Sequence, residues 1–118
     1  MDSEAKTCAK LPRAEQIARL NDRLRKGARG GSMIVTSGVQ VLPGFDVGRL
    51  LELLASYCSF DADNDPHGER DFGDLTFDGV DLLWKIDYYD TDLIYGSPDP
   101  ADPSVTKRVL TVMLASEY

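Results

Sequence analysis

The stretch DLTFDGVDLLWKIDYY, residues 74–89, decides the fold. Asp78-Gly79 is a preferred pair for a two-residue type I′ hairpin turn, which needs positive φ at both central positions. Taking 78–79 as the turn pairs Phe77 with Val80, Leu75 with Leu82 and Gly73 with Trp84. In the second strand Val80, Leu82, Trp84, Ile86 and Tyr88 then share one face, and Asp81, Leu83, Lys85, Asp87 and Tyr89 share the other. A slip of one residue would send the apolar set to the wrong side, so the register is well specified. Gly73 leaves room for the indole of Trp84, and the same register extended backwards sets Arg70 opposite Asp87.

The rest of the chain supplies partners for this hairpin. Pro12 fits the first turn of a helix over about 12–26, with Ile17, Leu20 and Leu24 beside Ala14 and Ala18 as its apolar stripe. Gly27 ends it. SMIVTS reads as a strand over 32–37, with Val39–Leu42 extending it or turning away. Asp46 is a good N-cap for a second helix whose stripe is Val47, Leu50, Leu51, Leu54 and Tyr57. GSPDPADP, residues 96–103, is a stiff loop set by three prolines, Pro98, Pro100 and Pro103. A last strand over about 105–115 is apolar on both faces, which puts it inside the sheet. The expected architecture is α+β: an antiparallel sheet of about four strands with two helices packed on one face. Residues 11–118 form one domain and residues 1–10 are expected to be a flexible tail.

Charge is distributed unevenly. From Asp61 to Pro103 there are 13 Asp/Glu against two cations, Arg70 and Lys85, whereas residues 1–60 hold six acids and nine bases. The net charge of −7 is therefore made in the middle. A sequence pI near 4.5 argues against binding nucleic acid through the acidic face. No apolar run is long enough for a membrane span and no signal peptide is visible, so a cytoplasmic protein is expected. The two cysteines, Cys8 and Cys58, have neither a CxxC spacing nor a nearby histidine, which makes zinc improbable. His67 is the only histidine.

The acidic loop offers two kinds of chemistry. Asp61, Asp63 and Asp65 alternate like the start of a calcium loop, but Pro66 and Phe72 stand where an EF-hand needs Gly and Glu. A looser magnesium or calcium site from Asp63, Asp65, Glu69 and Asp71 stays open; the bland alternative is a solvated acidic turn capped by its own side chains. His67 is a candidate general base, or simply a surface residue. The hairpin register suggests one patch that joins Asp65, His67, Glu69 and Arg70 to Asp87 and Asp90, with Lys85 and Tyr89 on the same strand face as Asp87.

Several segments, IARLNDRLR (17–25), DNDPHGERDFG (63–73), WKIDYYD (84–90), SPDPADP (97–103) and RVLTVMLASEY (108–118), carry a resemblance. By these the chain, from about Ile17 to Tyr118, resembles the uncharacterised bacterial family DUF3768, a domain of unknown function. The family pattern reads Glu-His-Asp where this chain has Glu69-Arg70-Asp71, so any role of that histidine is missing here. The resemblance implies no established activity and no functional residues, and it implies an association with plasmids and other mobile elements.

The sequence favours a small binding protein whose acidic face engages a basic protein partner, with no cofactor. The alternative is a metal-assisted hydrolase or nuclease built on the Asp63–Asp71 loop. A homodimer formed through a sheet edge is a third possibility.

Overall fold

The computed structural model describes residues 11–118. The tail expected at 1–10, with Cys8, lies outside the described residues. The elements in order are α1 (Arg13–Gly27), β1 (Gly31–Val35), α2 (Ser37–Gln40), α3 (Val47–Ser56), β2 (Phe72–Phe77), β3 (Val80–Tyr89) and β4 (Lys107–Leu114). Two 3-10 turns, Pro103–Val105 and Ala115–Glu117, flank β4. The strands form one sheet in the order β1-β4-β3-β2.

The hairpin forms in the register that its turn dictates. Asp78 and Gly79 have φ of 49° and 81°, and Phe77–Val80, Leu75–Leu82 and Gly73–Trp84 are opposed. Gly73 is a steric requirement. A Cβ there would stand 2.5 Å from Trp84 Nε1 and 2.6 Å from Tyr57 Cζ, well inside van der Waals contact. Trp84 fills the space with its edge towards Tyr57 and Phe60, at ring separations of 5.5 and 6.1 Å. Such edge-on pairs add to the burial of a large apolar side chain.

β4 lies in the interior of the sheet, as its two apolar faces require, and pairs antiparallel with β3. On its other side it runs parallel to β1, Met33 opposite Leu110, so the sheet is mixed and mostly antiparallel. A parallel neighbour needs a long crossover, and the segment from α2 through the hairpin supplies it. The chain turns away from the sheet directly after β1, where Thr36 leads into α2 and Val39 is driven into the core.

α1 and α3 cover one face of the sheet. Leu24, Leu50 and Leu54 pack with Trp84, Ile86, Leu110 and Val112. Asp46 caps α3 as expected, its Oδ1 accepting from the Gly48 and Arg49 amides at 2.9 and 3.4 Å. Val47 and Leu51, expected on the buried stripe, are exposed. α3 meets the sheet along the narrower line of Leu50 and Leu54, with Leu53 partly buried beside it, and Val47 and Leu51 stay in solvent. α1 ends at Gly27, and Ala28, in the left-handed region at φ 53°, returns its amide to the Leu24 carbonyl at 2.8 Å. No helix among the described residues is long and apolar enough to cross a membrane.

Candidate functional site

The acidic loop is built by its own side chains. Asp61 Oδ1 accepts from the Asp63 and Asn64 amides at 2.9 and 3.0 Å, and Asn64 Oδ1 accepts from the Asp61 amide at 2.9 Å. Asn64 Nδ2 donates to the Ser59 carbonyl and to Tyr57 Oη at 2.9 and 3.2 Å. Tyr57 Oη donates in turn towards Asp74 Oδ1 at 3.4 Å, which ties the loop to the edge strand β2. Burial, with Asp74 and Asp61 nearby, holds the Tyr57 phenol above its usual range. Asp65 Oδ1 accepts from the Arg70 amide at 3.0 Å and closes the second half of the loop, where Gly68 and Arg70 have φ of 71° and 54°.

That left-handed turn at Arg70 corrects one expectation. The hairpin ladder stops at Phe72–Lys85, followed by a single bond from the Ile86 amide to the Asp71 carbonyl at 2.8 Å. Arg70 therefore does not lie against Asp87. Its guanidinium turns to α1, with Nε and Nη2 donating to Asp22 at 3.1 and 2.9 Å and Nη2 to Glu15 at 3.2 Å. These carboxylates raise the Arg70 pKa, and the guanidinium holds Glu15 below the usual carboxylate range.

The same side of the sheet carries a polar network absent from the expected patch. Asn21 is fully buried, with Nδ2 donating to the Glu69 carbonyl at 3.0 Å and to Tyr88 Oη at 2.8 Å. Tyr88 Oη donates to Glu69 Oε1 at 2.9 Å, and burial pushes the phenol pKa far up. Arg108 Nε donates to Asn21 Oδ1 at 2.9 Å, its guanidinium also reaches the Pro100 carbonyl, and it lies 5.2 Å from the Tyr88 ring centre. Arg25, 2 % exposed, donates to the Leu54 and Tyr57 carbonyls at 2.7 and 3.0 Å and to Asp22 at 3.1 Å. A cation there satisfies the carbonyl end of α3. The signal for Asn21 and Arg25 was present: they continue the Ile17–Ala18 and Leu24 face at helical spacing. Arg108 shares the period-two face of Leu110 and Val112.

The structure thus divides the expected patch. Asp65, Glu69, Arg70 and Asp71 gather with α1 on the helix side. Burial, then Glu69, lifts the Asp71 pKa above its ordinary value, with a smaller contribution from Asp65, against a backbone hydrogen bond and, more weakly, His67. His67 is exposed in the loop. Lys85, Asp87 and Tyr89 point to the other face, where Lys85 Nζ lies 2.8 Å from Asp87 Oδ2. Asp90 closes its own turn by accepting from the Asp92 and Ile94 amides at 3.2 and 3.0 Å. Asp63 is exposed, and among the described residues no three His, Cys, Asp or Glu side chains converge as a metal ion would need.

The family model described as a protein of unknown function, DUF3768, matches residues 35–117. The chain belongs to this family. The matched DUF3768 segment opens at the last residue of β1, later than the resemblance from Ile17, so α1 stands ahead of it. Glu69, Arg70, Tyr88 and Arg108, which α1 holds, lie inside it. No curated protein and no solved structure matches the chain.

Proposed function

We propose that the protein is a binding module that engages a basic partner through the carboxylates of the 61–69 loop and the neighbouring hairpin edge. One observation carries this reading: the two cations of the acidic block are already engaged. Arg70 is folded onto Asp22 and Glu15, and Lys85 is paired with Asp87. Among the described residues no cation pairs with Asp61, Asp63, Asp65, Asp74 or Asp81. Uncompensated surface carboxylates accelerate encounter with a basic surface and select against other partners. The Tyr57 bridge holds Asp74 beside the loop, so the charges are presented on a fixed frame.

A basic groove that handles nucleic acid is the natural complement of such a surface, and an accessory role on a mobile element is compatible with it. A metal-assisted hydrolase or nuclease has less support, because the loop carboxylates are engaged one at a time. The test is affinity capture from the native host at low ionic strength, followed by elution with rising salt. The expected result is a basic, nucleic-acid-handling protein that is retained by the native chain and lost with the Asp63→Asn/Asp74→Asn/Asp81→Asn triple variant. Retention that neither salt nor the triple variant alters would overturn the reading.

A further inference from the structure

The face of the sheet turned away from α1 and α3 has no α-helix against it among the described residues; the C-terminal turn Ala115–Glu117 lies beside β3, and the Tyr118 ring packs 5.7 Å from the outward Phe72. A sheet with one solvated face ordinarily alternates apolar inward and polar outward. Here the outward positions of the central strands include Leu83 and Tyr89 on β3 and Val109 on β4, all partly exposed, and Met113, which the chain already buries. Ile34, outward on the edge strand β1, is 49 % exposed. Beside them the face continues into a groove of about 590 Å³ lined by Ile34, Leu93, Lys107 and Val109.

The charge on this face differs from that of the rest of the molecule. The outward positions of β2, β3 and β4 carry two cations, Lys85 and Lys107, and three acids, Asp74, Asp81 and Asp87, a net −1 in a chain of net −7. Two copies repel over most of their surface and less so here, where cations sit among the acids. Lys85 and Asp87 are also two residues apart on one strand, about 7 Å along it. A two-fold axis in the plane between two stacked sheets, perpendicular to β3 and passing midway between these residues, sets Lys85 of each copy against Asp87 of the other. Opposite charges at such spacing make the surface complementary to itself, which a closed symmetric pair requires.

We propose that this bare face is the interface of a homodimer, packed sheet on sheet about the Lys85–Asp87 pair. Stacked sheets lie about 10 Å apart, close enough for Leu83, Tyr89 and Val109 to bury one another between copies. Asp74 and Asp81 belong both to this face and to the acidic surface assigned to a basic partner, whereas Lys85 and Asp87 belong to this face alone, so their variants test the dimer without touching the other assignment.

The test is sedimentation of the full chain over micromolar to millimolar concentrations. The native chain is expected to dimerise. Lys85→Asp and Asp87→Lys, each alone, place four like charges at the centre and are expected to raise the dissociation constant about ten-fold or more. An equimolar mixture of the two variants restores opposite charges across the axis and is expected to recover a mixed dimer. The lost ion pair within one chain cannot be restored by mixing, so recovery separates contact between copies from a local effect. Val109→Asp, in the middle of the face, is expected to give monomer, with melting curves checking that every variant folds. A monomer at all concentrations overturns the proposal. So does a dimer indifferent to both charge variants, as an edge-paired dimer would be, or a mixture no tighter than its components.

Discussion

The two faces of the sheet treat charge in opposite ways. Under the helices, Arg25 and Arg108 are 2 % exposed and each is surrounded by acceptors: helix-end carbonyls, Asp22, Asn21 and the Pro100 carbonyl. On the bare face, Lys85 and Asp87 hold only one another, with about a third of each side chain exposed. A buried cation needs several acceptors to be tolerated, and Arg25 has them at both Nη atoms although its buried Nε finds none, whereas a pair in water needs little support and contributes little. The difference shows how the covered face gains its specificity. Its arginines fix where α1, the end of α3 and the acidic loop meet, and the ion pair on the bare face fixes nothing within one chain.

Substitutions that remove a charge from each region test this contrast. The largest effect is expected at Arg25. Arg25→Ala strands the Leu54 and Tyr57 carbonyls and removes a partner of Asp22, at a cost of about 3–5 kcal/mol by denaturant unfolding. A loss no larger than that of a surface residue would erase the distinction between the faces.

A smaller effect of opposite sign is expected at Asp71. Its folded carboxyl binds a proton more readily than the unfolded one, because burial and Glu69 penalise the charged form. The native protein therefore gains stability from this residue as pH falls through the folded pKa, and the gain levels off below the unfolded value. Asp71→Asn is expected to raise the melting temperature at neutral pH, and this advantage should close in acid. A constant advantage at every pH would show that the charge is not its source.

The smallest effect is expected at Lys85. Lys85→Ala should change the stability of the isolated chain by about 0–1 kcal/mol in thermal melts made at concentrations too low for association. A larger loss would mean that the bare face is organised within one chain after all.

Much of the covered face could be read from the sequence, because hard constraints specify it. The Asp78-Gly79 turn and the alternation around it fixed which residues oppose Trp84, and the apolar runs of β4 put it inside the sheet. The parallel pairing of β1 was not legible: a five-residue strand has no local signal for the direction of its neighbour. The path of Arg70 was not legible either. Arginine does not announce a left-handed conformation, and the decisive partners, Glu15 and Asp22, lie about 50 residues away in sequence. The expected patch failed to assemble at this one residue, since without Arg70 beside Asp87 the acidic loop and the Lys85 strand face fall on opposite sides of the sheet.

Trp84 is the single tryptophan of the chain and is wholly enclosed, with Gly73 against its indole and no acceptor for Nε1 among the described residues. Its surroundings give the protein a built-in optical probe. Emission from this one ring should be short in wavelength while the core is closed and move to the red when water first reaches it, so the loosening of α1 or the hairpin can be followed without attaching a label.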